Sequence, residues 1–368
     1  MEFEVIPIQQ VVQNVTVVGK LGDISDENEL RKLLIRFSIS TMIVSKYMYK
    51  GYSKKFVERE VYDILKNCIY AESCIKQAKA ISEACKVTNG VPYENGLKSL
   101  FLFSRGNKWE RYGNRNIKLI KYHKDGNYFD VEIVNPFGKN IFAKAYFGER
   151  TSIILDTLTT VHHYSARIVC RELGKYAIHI SVPIEIYVKH TKVYDSFICD
   201  RYACGFDLNA GFVNFVIVDK LTWKPVYWSR IEFWEVCSPG YPKDRLYTEL
   251  LHRIGNLYEW LRYFGVSDLF FENLFKVKPK KQKRKFKSKN VARKVSRFPK
   301  RKLLTYMGVK GLKYGFRVWF VDSRGSSLSA KYLGKYLYNL DRHYGAAYVI
   351  TLRGLQHLSK HMKTYTII

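Results

Sequence analysis

Cys204-Gly205-Phe206-Asp207-Leu208-Asn209 is the stretch on which the fold turns. Tyr202 to Phe206 reads as a buried strand running into an acid, and Leu208 to Asp219 alternates as a second strand, with Gly211 and Asn214 as turn chemistry. A carboxylate closing an apolar strand is costly unless it is paired or holds a metal. The pattern recurs in Asp268-Leu269-Phe270-Phe271-Glu272-Asn273-Leu274, a short apolar strand ending on Glu272. A third acid, Asp341, opens a helix-like segment near the C-terminus. Acids from two strands and a helix are what a two-metal phosphodiester nuclease needs. Carboxylate oxygens suit Mg²⁺, and two ions about 3.5–4 Å apart hold both the attacking water and the leaving oxygen.

The flanking pattern supports this. Strands fall near 202–208, 212–219 and 225–234. A helix from about Pro242 to Phe264 carries Leu246, Leu250, Leu251, Ile254, Leu257 and Leu261. Then come the strand Leu269 to Phe271, a basic segment, a helix to about Tyr314, the strand Phe316 to Val321 and a final helix from about Tyr344. Three strands, a helix, a strand and a helix, with an acid on the first strand, is the order of a ribonuclease-H-like domain, placed at 198–368. Asp322 is a spare carboxylate after its strand, and Asp219 sits at the far end of its own.

Upstream, residues 1–24 read as strands (Phe3, Val5, Ile6 and Ile8, then Val15 to Leu21), with Pro7 marking an edge. Residues 25–118 read as a helical module. Ser25 or Asp26 caps a first helix with Leu30, Leu33, Leu34, Phe37, Met42 and Ile43 inward, and Ser53 caps a second with Phe56, Val57, Val61, Ile64 and Leu65. A third runs from about Ala71 to Lys86. Lys76, Lys79, Arg105 and Lys108 of this module are candidate nucleic-acid contacts, the last two in a loop with Trp109. From Asn116 the period is two, through Ile153 to Leu158 and Ile184 to Val188, with turns such as Asp125-Gly126-Asn127. Residues 119–197, with 1–24, therefore read as an antiparallel sheet or small barrel into which the helical module is inserted. The fold class is α+β and multidomain.

Composition narrows the partners. Lys and Arg outnumber Asp and Glu 62 to 33, a net charge of +29, with 28 Tyr and 22 Phe. This balance fits nucleic acid better than a membrane surface or small acidic substrates. The seven cysteines form no C-x-x-C pair and read as buried apolar thiols of a reducing compartment. No signal peptide and no apolar run of about 18 residues is present, so no membrane is expected. Fifteen of the 27 residues from Lys276 to Lys302 are Lys or Arg and none is acidic. Lys280, Lys281, Lys283, Arg284, Lys285, Arg293, Lys294 and Arg297 in this run are candidate strand-gripping residues, with Phe286 and Phe298 as stacking aromatics.

Several motifs resemble the TnpB (OrfB) family of insertion-sequence proteins, relatives of the type V CRISPR effectors. Gly205-Phe206-Asp207-Leu208 with Asn214-Phe215 is similar to its first RuvC motif, and Phe270-Phe271-Glu272-Asn273-Leu274 to the second. Phe316 to Ser327 resembles the segment before the zinc ribbon, and Leu340-Asp341-Arg342-His343-Tyr344-Gly345-Ala346-Ala347 the third motif. Ala71 to Ala78 resembles part of the recognition module, and Tyr176 to Pro183 the end of the wedge barrel. The resemblance implies a wedge barrel split by a helical recognition module, followed by a RuvC nuclease. It implies RNA-guided, Mg²⁺-dependent cleavage of DNA bearing a short flanking motif, with Mn²⁺ as an alternative ion and a guide RNA from the transposon end. It also implies a prokaryotic cytoplasmic, nucleoid-associated protein.

Two departures stand out. Leu328 to Asn339 is too short for the family's zinc ribbon and holds no cysteine, so no structural zinc is expected. The family's third acid aligns with His343 rather than Asp341. Asp207, Glu272 and either Asp341 or His343 are thus the expected catalytic and metal-binding residues. A guided DNA binder that does not cleave, and a transposase acting without RNA, remain the alternatives.

Overall fold

The computed structural model describes residues 4–88, 90–194, 199–209, 211–233, 241–275, 300–322, 324–336 and 338–362. They form two compact units, Asn14–His190 and Met1–Gln13 with Thr191–Ile368. The first elements, β1 (Val5–Pro7) and α1 (Ile8–Val11), belong to the second unit.

The unit Asn14–His190 contains β2 (Asn14–Gly22), α2 (Glu27–Lys50), α3 (Lys54–Leu65), α4 (Cys68–Thr88), β3 (Leu100–Ser104), β4 (Ile117–His123), β5 (Tyr128–Ile133), β6 (Ile141–Tyr146), α5 (Thr151–Thr160), β7 (Ala166–Glu172), β8 (Lys175–Pro183) and α6 (Ile184–Thr191). Its strands form one open, curled antiparallel sheet in the order β3-β7-β8-β2-β6-β5-β4, not a closed barrel. Helix α2 begins where the Asp26 carboxylate accepts from Glu29 N at 2.9 Å, and it ends at Gly51, whose φ of 90° closes the last turn. Leu30, Leu33, Leu34 and Phe37 face inward as their spacing requires. The Phe37 ring meets Tyr70 of α4 edge-on at 6.1 Å and Phe101 of β3 at 5.7 Å, so helices and sheet share one core. Thr41, Val44 and Ser45 are buried in place of the expected Met42 and Ile43. The small hydroxyl residues let α4 approach, and the Thr41 hydroxyl reaches Cys74 Sγ at 3.4 Å.

Three expectations are corrected. Ile153 to Leu158 and Ile184 to Val188 are helical, as α5 and α6, because a short apolar run carries no period that separates helix from strand. Leu100–Ser104, inside the stretch read as helical, is an edge strand, and Ser38 of α2 exchanges two hydrogen bonds with Phe101 of that strand. The strands of residues 1–24 also separate: β2 lies in this sheet, whereas β1 pairs antiparallel with a strand of the second unit, Val5 opposite Val321.

The second unit continues with β9 (Tyr202–Asn209), β10 (Phe212–Asp219), β11 (Pro225–Glu232), α7 (Lys243–Tyr263), β12 (Val266–Glu272), α8 (Lys300–Lys313), β13 (Arg317–Val321), α9 (Ser326–Ala330) and α10 (Arg342–Met362). The sheet order is β1-β13-β12-β9-β10-β11. Strands β9, β10 and β11 are antiparallel, and β12 and β13 run parallel to β9. These directions agree with the succession of strands expected from the sequence, with β1 as an added edge that accommodates Pro7.

Alternate residues of β9 point to opposite faces. Phe206 stacks on Phe271 of β12 at 4.7 Å and meets Tyr258 of α7 edge-on at 6.5 Å. Gly205 faces α10, where a Cβ would lie 2.0 Å from Thr351 Oγ1 and 2.4 Å from Ala347 O. The helix is thereby seated directly on the strand. Gly205→Ala is expected to lower the stability of this unit by about 1–3 kcal/mol through overpacking against backbone. Thermal unfolding checks it, and an unchanged midpoint would contradict the close seating.

An ion-pair network ties the opposite end of the parallel strands. The fully buried Asp268 carboxylate accepts from Arg317 Nε at 2.7 Å and Nη2 at 2.6 Å and from Trp319 Nε1 at 3.1 Å. Lys220 also donates to Asp268 and to Asp200. Burial works against ionisation of Asp200, but hydrogen bonds from Lys220 and Ser267 outweigh it and hold its pKa below the ordinary value. Arg201 lowers that of Asp219 in the same way, helped by Leu221 N. A depressed carboxylate pKa adds stability that is present above the unfolded-state value and lost as pH falls through the folded one. The unfolding midpoint is therefore expected to drop as pH falls below about 4. Asp219→Asn should flatten that limb, and an identical pH profile in the variant would refute the assignment.

Candidate active site

The site is built on the α10 side of the sheet at the C-terminal ends of its parallel strands. Register pairs Phe271 with Phe206 and Phe270 with Gly205, which sets Glu272 beside Asp207 on strands about 4.8 Å apart. Phe270 packs beneath Gly354 of α10, so Glu272, two residues on, presents its side chain to the same face as Asp207. The two strand-terminal acids are thus brought together. Helix α10 supplies the third group. Ala347 sits over Gly205, and His343, one turn earlier, reaches Asp207. His343 Nδ1 lies 3.2 Å from Asp207 Oδ2.

Asp341 is engaged differently. Its Oδ1 accepts from His343 N at 2.8 Å and Tyr344 N at 2.9 Å, the geometry of an N-cap on α10. Its Oδ2 lies 3.6 Å from Arg230. Asp322 pairs with Arg324, which holds its carboxyl below the usual range. Asp219 pairs with Arg201 at the far end of β10.

Asp207 differs from Asp219, Asp268 and Asp322. Its side chain is only 16% exposed, yet no Lys or Arg pairs with it among the described residues. Its Oδ2 has Asn209 Nδ2 at 2.6 Å and His343 as partners. Asp268, Asp219 and Asp322 each have at least one guanidinium. Asn209 was not singled out from the sequence, although its i+2 position puts it on the Asp207 face. Arg230 was missed as well: its Nε donates to Asn214 Oδ1 at 2.9 Å, and Asn214 lies opposite Asp207 on β10. The guanidinium is held over the Phe212 ring at 4.5 Å, close to the site.

The donor types, though not a complete ligand set, are those that divalent cations take. Two carboxylates on adjacent strand ends, one lacking a cationic partner, provide hard oxygen ligands, and His343 adds a nitrogen that suits Mn²⁺ better than Mg²⁺. Among the described residues, no group of three or more His, Cys, Asp or Glu is arranged so that it could hold a metal ion. Cys74, Cys170 and Cys204 are buried, whereas Cys68 and Cys199 are exposed, so the thiols are not uniformly interior. Burial raises the Cys74 thiol to about 12, far from a reactive thiolate.

Lys76, Lys79, Arg105 and Lys108 are all exposed in the Asn14–His190 unit, and Lys108 Nζ lies 4.8 Å from the centre of the Trp109 ring. Lys280, Lys281, Lys283, Arg284, Lys285, Arg293, Lys294 and Arg297, with Phe286 and Phe298, lie outside the described residues. No described helix is long and apolar enough to cross a membrane.

Comparison with known proteins gives relatives along nearly the whole chain. A family described as "SSO2105 N-terminal domain" matches residues 14–192, which coincides with the unit Asn14–His190. The Saccharolobus solfataricus protein "Uncharacterized protein SSO2105" is 31% identical over 358 residues, covering 93% of this chain and 92% of its own. An Aeropyrum pernix protein is 26% identical over 332 residues, covering 84% and 85%. Among solved structures, a Cas12f1–sgRNA–target DNA complex aligns over 88% of this chain and 81% of its own, at 12% identity and a TM-score of 0.46. RuvC of T. thermophilus with a Holliday junction aligns over 45% of this chain and 97% of its own, at 14% identity and a TM-score of 0.29. On the full-length match to the Saccharolobus solfataricus protein, the chain belongs to the SSO2105 family.

Proposed function

We propose that the protein is a divalent-metal-dependent nuclease that cuts nucleic-acid phosphodiesters at Asp207, Glu272 and His343. The observation that carries this reading is the Asp207 carboxylate, largely buried beside Glu272 and without a cationic partner among the described residues. Asp207 and Glu272 would hold the cation. Asn209 fixes the Asp207 carboxylate, and His343, anchored by the Asp341 cap, lies where it can ligate or exchange a proton with an incoming water. Arg230 stands close enough to steady a phosphate. When bound at such a carboxylate pair, Mg²⁺ or Mn²⁺ supplies Lewis acidity and charge neutralisation for an in-line displacement.

The finer reading, an RNA-guided DNA endonuclease, is supported by the ordered TnpB-like motifs, by the charge of +29 and by the basic run between the two strand-terminal acids. It is tested by sequencing the RNA that copurifies with protein expressed from its native flanks, then assaying plasmid cleavage. A discrete RNA extending past the gene and metal-dependent cutting are expected. Absent or random RNA would remove the guide.

A second reading, a guided binder that does not cut, draws on one observation: a histidine stands where the family has its third acid, and Asp341 is engaged as a helix cap. His343→Asp separates the two. Under the nuclease reading the wild type cuts with Mn²⁺, and the variant shifts preference toward Mg²⁺ by about tenfold or more. Under the binder reading only the variant cuts, or neither does.

A further inference from the structure

A second polar site lies in the Asn14–His190 unit. Arg167, on β7, lays its guanidinium over the Phe101 ring at 4.2 Å. Its Nε is buried with no hydrogen-bond partner, and no carboxylate pairs with it among the described residues. Arg167 lines a cavity of 410 Å³ together with Tyr93, Asn95 and Lys98, and Glu94 is the one acid in the lining among the described residues. Leaving a buried donor of a charged group unpaired is costly. The wall is built with strain. Tyr93, a non-glycine residue, sits at φ 54°, a conformation that persists only where its surroundings impose it. Gly96 N donates to Tyr93 O at 3.1 Å and closes the turn.

The geometry points to a phosphate-binding cavity in which Arg167 is the anchor and Lys98 and the Tyr93 hydroxyl are further donors. A guanidinium stacked on an aromatic ring directs its N–H groups in one plane, the fork that matches two oxygens of a phosphate. Arg167 and Lys98 against Glu94 leave the lining positive, which suits an anion and disfavours a cation. The volume accommodates a nucleotide-sized group. The phosphate comes either from a nucleic-acid strand or from a small phosphate compound, and this assignment stands whether or not the carboxylate site cuts.

The test uses the full chain labelled with ¹⁵N-arginine, following the Nε–H resonances by NMR. The Arg167 signal is identified by its loss in Arg167→Lys. Inorganic phosphate, AMP and a single-stranded RNA oligonucleotide are titrated separately. A saturable shift of the Arg167 signal with oligonucleotide as well as phosphate assigns the cavity to a strand. Arg167→Gln should then lower the slope of log affinity against log salt by about 0.7, one phosphate contact. A shift with phosphate and AMP alone assigns it to a small phosphate compound. No shift with any of the three overturns the proposal. Should the Arg167 variants not fold, Lys98→Gln at the exposed rim decides: it must weaken phosphate protection against thermal unfolding several-fold, and unchanged or absent protection overturns the assignment.

Discussion

Asp207→Asn is expected to abolish metal-dependent cleavage, by at least about 10³-fold, while leaving the fold and nucleic-acid binding in place. The substitution keeps the size of the side chain and the contact with Asn209, but removes the charge that a cation needs. Asn209 Nδ2 then faces an amide in place of a carboxylate oxygen, a change that a partly exposed pair absorbs by rotating the amide. Cleavage of a plasmid target, measured with binding by gel shift and unfolding by calorimetry, checks all three parts. Retained cleavage would move the chemistry away from β9. Loss of binding together with cleavage would make Asp207 a structural residue.

The second large effect concerns stability. Asp268→Ala is expected to lower the stability of the second unit by about 3–5 kcal/mol, because it leaves Lys220 and Arg317 facing each other with Asp200 as the acid still shared by both among the described residues. For a unit of this size the unfolding midpoint should fall by roughly 6–20 °C. The exposed acid Asp63, which pairs with Lys66 on α3, is the control, and Asp63→Ala should move the midpoint very little. A loss below about 1 kcal/mol for Asp268→Ala would show that the network breaks even against its desolvation. The effect bears on function too, since Asp268 and Glu272 lie on one strand. Loosening the start of β12 frees the register that sets Glu272 beside Asp207.

Asp207 and Glu272 stand out in the sequence because each closes an apolar strand, and the register of β9 and β12 sets these two strand ends side by side. The succession of strands and helices along 202–321 was legible from their apolar runs, and the acids at strand ends suggested how to read it. What could not be read was the register that pairs those strands, because parallel neighbours come from separated segments. The choice between Asp341 and His343 was open for a local reason. They lie two residues apart at a helix start, where a cap and a ligand have the same sequence signature. The network around Asp268 was hidden because its partners Lys220 and Arg317 lie about 50 residues away on either side. Leu100–Ser104 was hidden differently: it follows three helices and owes its strand conformation to β7 and to Ser38. In both cases tertiary partners, not local pattern, decide the outcome.

Mn²⁺ binding followed by electron paramagnetic resonance tests the proposed divalent-cation site at the ends of β9 and β12 without any knowledge of guide or target. Saturable Mn²⁺ binding to the wild type is expected, competed by Mg²⁺, weakened by His343→Ala and lost in Asp207→Asn. Equal Mn²⁺ binding by the wild type and Asp207→Asn, or no saturable binding to either, would contradict it.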